Sequence, residues 1–104
     1  MRIEIACSLL SRLRGLLGRD SFDGVLLLMP CNDVHTYGMR HALDIAFIAS
    51  SGEVVGAYRQ VGARCRIRCK TAAAVLERFA DDSPWLEQGE YVELKDYIRD
   101  QRRS

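Results

Sequence analysis

Long apolar runs are absent from this chain. No stretch approaches the roughly 20 residues that a membrane-spanning helix needs, so no such helix is expected. An excess of one charge is absent too: 15 Lys and Arg stand against 14 Asp and Glu, a net charge of +1. That balance gives no global pull toward nucleic acid or an acidic membrane. The opening Met1-Arg2-Ile3-Glu4-Ile5-Ala6 has an acid where a signal peptide needs an apolar core, which points to the cytoplasm. Repeats, low-complexity tracts and linker compositions are missing, so residues 1–104 are expected to form a single domain. Four cysteines, Cys7, Cys31, Cys65 and Cys69, are too few for a disulfide scaffold. Reduced thiols are expected, several of them buried as small apolar groups.

What is present is the balance of an ordinary globular protein, 48% hydrophobic and 28% charged residues. Arg2-Ile3-Glu4-Ile5-Ala6 alternates and reads as a first strand. Ser8 can N-cap a helix with Leu9, Leu10, Leu13, Leu16 and Leu17 on one core-directed face. Gly18 is a suitable stop for it. Val25-Leu26-Leu27-Leu28-Met29 is too short for a buried helix and fits a strand covered on both faces, ended by Pro30. Ser50-Ser51-Gly52, between apolar runs at 44–48 and 53–58, signals a hairpin. From 63 to 70 the chain alternates, with Arg64, Arg66, Arg68 and Lys70 on one face and Cys65, Ile67 and Cys69 on the other. Residues 71–80 look helical by propensity. Tyr91-Val92-Glu93-Leu94 reads as a last strand, and the polar tail 95–104 as a short helix that frays. The expected fold is α+β and β-rich: a compact antiparallel barrel or sandwich with one or two short helices.

Arg12-Leu13-Arg14-Gly15-Leu16-Leu17-Gly18-Arg19 is similar to the R-x-R-G-L-M-x-R opening of the domain of unknown function 192 family. Val34-His35-Thr36-Tyr37-Gly38-Met39-Arg40 resembles that family's I/V-H-T-F-x-M-R. Leu43-Asp44-Ile45-Ala46-Phe47-Ile48 resembles its L/I-D-V-x-F-L, and Val75-Leu76-Glu77 and Gly89-Glu90 match later positions. The likeness spans residues 6–94. It implies a compact β-rich fold and makes residues 73–78 a strand, against their helical propensity; tertiary context can override propensity. It assigns no catalytic residue, because the family's activity is not established. Two departures stand out. The family often has Trp where this chain has Gly38, and its L-P-A-G after V-L-E is replaced by Arg78-Phe79-Ala80-Asp81.

Both histidines lie in the stretch 31–47. In an extended segment His35, Tyr37 and Met39 share one face, and Val34 and Thr36 the other. A histidine beside a tyrosine can bind a ligand or move a proton near neutral pH, or it can be held in a loop by ordinary hydrogen bonds. Asp44, at the mouth of an apolar strand, must be paired; His35, Arg40, His41 and Arg12 are candidate partners. Cys31 could act as nucleophile with His35 as base. Cys31, His35, Cys65 and Cys69 have zinc-type chemistry. On a strand, however, Cys65 and Cys69 lie about 13 Å apart, so no metal centre is expected. Arg64, Arg66, Arg68 and Lys70, with Arg59 just before them, form a basic stripe. It could hold an anion or protect an edge strand from aggregation, and it lacks interleaved aromatics for stacking bases. Trp85, after Pro84, is expected to cover the edge of the core.

The pattern favours a binding or accessory module with a polar pocket built from His35, Tyr37, Met39, Arg40 and Asp44. A hydrolase-like enzyme would instead use His35 as general base, Asp44 to orient it, and Cys31 or water as nucleophile. An anion- or nucleic-acid-binding module would use Arg64, Arg66 and Arg68. No cofactor is expected. The expected partner is an anionic small ligand or a protein, rather than nucleic acid or a membrane.

Overall fold

The computed structural model describes residues 2–6, 15, 16, 19 and 22–95. Seven strands run through them: β1 (Arg2–Ala6), β2 (Gly24–Leu28), β3 (Asp33–His35), β4 (Leu43–Ile48), β5 (Val54–Val61), β6 (Arg66–Arg68) and β7 (Ala74–Phe79). Five of them form one sheet in the order β1-β2-β7-β4-β5, and β3 and β6 form a two-stranded ribbon. The β-rich expectation therefore holds. Edges β1 and β5 do not pair with each other, so the sheet is not a closed barrel among the described residues. The helices expected over 8–17 and 95–104 lie outside the described residues, apart from Gly15, Leu16 and Lys95. No helix among the described residues is long and apolar enough to cross a membrane.

Uniformly antiparallel pairing needs a correction at one edge. β1 runs parallel to β2, from Arg2 opposite Gly24 to Ala6 opposite Leu28. A parallel pair needs a crossover of a dozen or more residues, and residues 7–23, 17 in all, supply it. β2 lies between β1 and β7 with Val25, Leu26, Leu27 and Leu28 all buried, as a continuous apolar run requires. The hairpin at Ser50-Ser51-Gly52 joins β4 to β5 as expected.

β7 is the central strand, antiparallel to both β2 and β4. The helical propensity of its alanines yields here. Both neighbours present ladder groups that need partners, and buried backbone polar groups must be paired. Leu26, Leu28, Leu43, Ile45, Phe47 and Val75 form a first core layer with Leu16, and the ribbon packs Val34 and Ile67 against it. Val25, Leu27, Ala46, Ile48, Val54 and Leu76 form a second layer, covered by Trp85, Leu86, Val92 and Leu94. Trp85 thus covers the core as expected. The strand expected at 91–94 is corrected to a single isolated bridge between Glu53 and Tyr91. Beyond it, the Val92 N–H donates to the Gly52 carbonyl at 2.8 Å.

Two carboxylates are buried among these strands, Asp44 on β4 and Glu77 on β7. Glu77 Oε1 accepts the Leu16 N–H at 3.1 Å. Burial pushes its pKa up to about 7, partly offset by that hydrogen bond and by the field of Arg19. Gly15 makes the close approach possible: its φ is +51°, and a Cβ there would sit 2.7 Å from Glu77 Oε1. Glycine alone meets both conditions without strain.

Candidate functional site

Strand alternation directs Val34 and Thr36 inward and leaves His35 and Tyr37 exposed. β3 pairs antiparallel with β6, setting Asp33 against Arg68, Val34 against Ile67 and His35 against Arg66. Asp33, His35, Arg66 and Arg68 therefore share the outer face of the ribbon. The Asp33 carboxylate accepts two hydrogen bonds from Arg66, at 3.1 and 2.6 Å. That grip holds the Asp33 carboxyl below its ordinary pKa and raises the Arg66 guanidinium. The His35 and Tyr37 rings lie 5.8 Å apart, tilted. Tyr37 is 53% exposed, which is high for a side chain with so much apolar surface.

Thr36 supports this face from below, and the sequence reading passed over it. Its Oγ1 donates to the Gly62 carbonyl at 2.7 Å and accepts the Cys65 N–H at 2.9 Å. Its N–H donates to the Cys65 carbonyl at 2.8 Å, and its carbonyl accepts the Met39 N–H at 3.0 Å. The signal was its alternation with Val34: a hydroxyl directed at the core must find partners. The 36–39 turn places Gly38 at φ 81°, which carries the chain inward, so Met39 packs against the first core layer. Met39 thus leaves the face expected to hold it with His35 and Tyr37. Arg40 is exposed, and His41 sits against Phe79 with ring centroids 5.0 Å apart.

Asp44 is fully buried. Opposite it, β5 carries an extra residue: Leu43 faces Val61 and Ile45 faces Tyr58, leaving Arg59 and Gln60 against Asp44 alone. That is a β-bulge, a device that bends a strand and re-aims a side chain. Gln60 takes φ 53°, uncommon for a residue with a Cβ, and its N–H donates to Asp44 Oδ1 at 3.0 Å. Arg78 Nε donates to Oδ2 at 2.8 Å, and Arg59 Nε lies 3.8 Å from Oδ1. These are the partners of Asp44, rather than His35, Arg40 or His41; Arg12 lies outside the described residues. His35 sits on the ribbon that covers the first core layer, whereas Asp44 opens toward the residues that cover the second. The structure does not bring His35 and Asp44 together.

Arg59 also leaves the basic stripe. Its Nη2 donates to the Asp81 and Ser83 carbonyls at 2.8 and 2.7 Å. Arg78 donates to Ser83 Oγ at 3.0 Å and to the Ser83 carbonyl at 2.8 Å, and its guanidinium stacks 4.6 Å from the Trp85 ring centroid. The Trp85 indole N–H donates to the Ile45 carbonyl at 3.2 Å. Ser83 also bonds to Asp81 through its hydroxyl and N–H, which lowers the pKa of Asp81. The stripe is shorter than 63–70: β6 covers Arg66–Arg68, and Arg64 takes φ 66°, ending the extended run. Cys65 is exposed rather than inward. The Cys31 thiol donates to the Asp33 carbonyl at 3.4 Å, while the ring contact of His35 is with Tyr37. Among the described residues, no three His, Cys, Asp or Glu side chains converge to hold a metal ion. Cys7 lies outside them.

No curated protein matches the chain. Two solved structures share its fold. One is a protein of unknown function from Novosphingobium aromaticivorans DSM 12444, with a TM-score of 0.69 and 18% identity over 77% of this chain and 64% of that one. The chain thus spans under two thirds of that relative's length. The other is a candidate transcription regulator from Sinorhizobium meliloti 1021, with a TM-score of 0.66 and 23% identity over 75% of this chain and 67% of that one. At these identities the likeness concerns the fold alone. Residues 1–83 match the DUF192 family model, described as Uncharacterized ACR, and the chain belongs to that family.

Proposed function

We propose that this chain is a binding module that holds an anion of the phosphate class on the outer face of the β3–β6 ribbon. The observation that carries the reading is the register that sets His35 against Arg66 and Asp33 against Arg68. It gathers the histidine stretch and the basic stripe, distant in sequence, into one exposed surface. A guanidinium matches carboxylate and phosphate oxygens through paired N–H groups. Arg66 already grips the Asp33 carboxylate in this way, and a phosphate offers the same pair of oxygens. His35 adds one donor when neutral and two when protonated, and the Tyr37 hydroxyl adds another. Arg64 and Lys70, both exposed, flank β6 in sequence. Among the described residues the exposed rings beside these cations are Tyr37 and the His35 imidazole; two adjacent rings fall short of a stacking platform along a polynucleotide, so a small anion is favoured. Met39 and Asp44 have no part in this site.

The test is an amide-shift titration with inorganic phosphate at low ionic strength. Shifts are expected at residues 33–37 and 64–70. They should weaken with added salt, because exposed charges are screened within about 10 Å. They should vanish in an Arg66→Ala/Arg68→Ala double variant. A flat spectrum in excess phosphate would overturn the reading.

A further inference from the structure

We infer that a second ligand site lies on the other side of the central sheet, and that it takes a small zwitterion, an amino acid with an apolar side chain. The site is an open cleft of about 460 Å³ whose lining includes Arg59, Trp85, Leu86, Pro84, Ala57 and Glu87. That volume falls in the range of small-molecule sites. The inference does not rest on the ribbon reading.

Arg59 is the fixed cation of the cleft. The bulge in β5 sets its course, and the buried Asp44 carboxylate lies 3.8 Å behind its Nε. Two carbonyls hold its Nη2. Its Nη1 has no hydrogen-bond partner among the described residues, and the side chain is 45% exposed. Asp44 is itself held by Arg78 and by the Gln60 N–H, at the cost of a left-handed backbone at Gln60. An uncommon backbone and a bulge beside a positioned charge are the features of a built site. Trp85 is fixed as well, by its stack on Arg78 and its bond to the Ile45 carbonyl. With Leu86, Pro84 and Ala57 it gives the cleft an apolar wall.

Glu87 supplies the opposite charge. Its N–H donates to the Glu90 carboxylate at 2.7 Å, and its carbonyl accepts the Glu90 N–H at 3.1 Å, so the backbone is pinned. Its own carboxylate makes no hydrogen bond or ion pair among the described residues and is exposed. A cation and an anion on one apolar-walled cleft match a ligand that carries both a carboxylate and an ammonium. Glu87 disfavours a plain carboxylate and Arg59 disfavours a plain amine, which is how repulsion sharpens specificity.

Trp85 is the single tryptophan of the chain, so its fluorescence reports on the cleft alone. The probes are L-leucine, 4-methylpentanoate, which lacks the ammonium, and 3-methylbutylamine, which lacks the carboxylate. Leucine is expected to give a saturable change, with both analogues weaker by about tenfold or more. Arg59→Gln should abolish leucine binding. Because Arg59 also anchors the 81–83 segment, Glu87→Gln is the cleaner variant. It touches no partner, and it should weaken leucine about tenfold without weakening 4-methylpentanoate. No saturable response to leucine would overturn the inference. So would equal affinity for leucine and 4-methylpentanoate, or leucine binding unchanged by Glu87→Gln.

Discussion

Asp44 and Arg78 stand directly opposite each other on β4 and β7, and the Arg78 Nε donates to the Asp44 carboxylate at 2.8 Å with both side chains almost wholly out of solvent. Removing one member of such a pair strands a buried charge, which costs about 3–5 kcal/mol. Replacing both by apolar residues of similar volume is often near neutral. Arg78→Leu should therefore lower the unfolding free energy by about 3–5 kcal/mol, read from urea denaturation. Asp44→Leu/Arg78→Leu should recover only part of it, because the Gln60 N–H and Arg59 lose their acceptor as well. A single variant as stable as the parent would mean that Arg59 or water takes the place of Arg78 at Asp44.

Glu77 predicts a pH dependence opposite in sign to that of a salt-bridged carboxylate. Its ordinary value is 4.5, and burial pushes it up to about 7. The folded state then holds the proton more tightly than the unfolded state. The resulting stabilisation is complete below about pH 4.5 and is lost as pH rises through about 7, a swing of about 3 kcal/mol. Asp33 and Asp81 have lowered values and the opposite sign, but both are solvent-accessible and act at lower pH. Glu77→Gln should flatten the profile between about pH 5 and about pH 8. If its unfolding free energy tracks that of the parent across this window, Glu77 is not the group responsible.

Thr36→Val keeps the shape of the side chain and deletes its hydroxyl. The Cys65 N–H and the Gly62 carbonyl each lose a partner. A loss of about 0.5–1.5 kcal/mol is expected, the net worth of a hydrogen bond, because Gly62 and Cys65 lie on an exposed segment that water can reach. Hydrogen exchange at the Cys65 amide should accelerate, while Thr36→Ser should retain most of the protection. Unchanged exchange in the valine variant would show that the 62–65 segment is held by other bonds.

Asp33 occupies the fork of Arg66 that the proposed anion would use. Asp33→Asn removes the competing charge and leaves the ribbon backbone in place. Affinity for phosphate should rise severalfold, with an unfolding midpoint close to the parent's because exposed ion pairs contribute little. Weaker phosphate binding in this variant would mean that Asp33 orients Arg66 rather than competing for it.

The apolar runs of β2 and β4 were legible because burial on both faces writes itself as hydrophobic sequence. The need of Asp44 for a partner was legible for the same reason, as a charge inside such a run. Its partner was not. Arg78 lies 34 residues further on, in a segment whose alanines favour a helix until β2 and β4 claim it as a strand. The bulge left no mark, because Gln60 is neither glycine nor asparagine. Thr36 was within reach of the alternation that placed Val34 inward. The meeting of His35 with Arg66 depends on antiparallel pairing across 31 residues, which neither segment encodes alone.

β7 is the last of the seven strands among the described residues, yet it lies at the middle of the five-stranded sheet. During synthesis β1 and β2 can pair, and β4 and β5 can close their hairpin, but the two halves cannot join until residue 79 has emerged. At about 5–20 residues per second, the wait from the end of β2 to the end of β7 lasts roughly 3–10 s. Through that interval the apolar edge of β2, joined by that of β4 once residue 48 has emerged, stands open to neighbouring chains. Substitutions in β7 should therefore register first in the yield of soluble nascent protein, before any effect on the finished fold is measured.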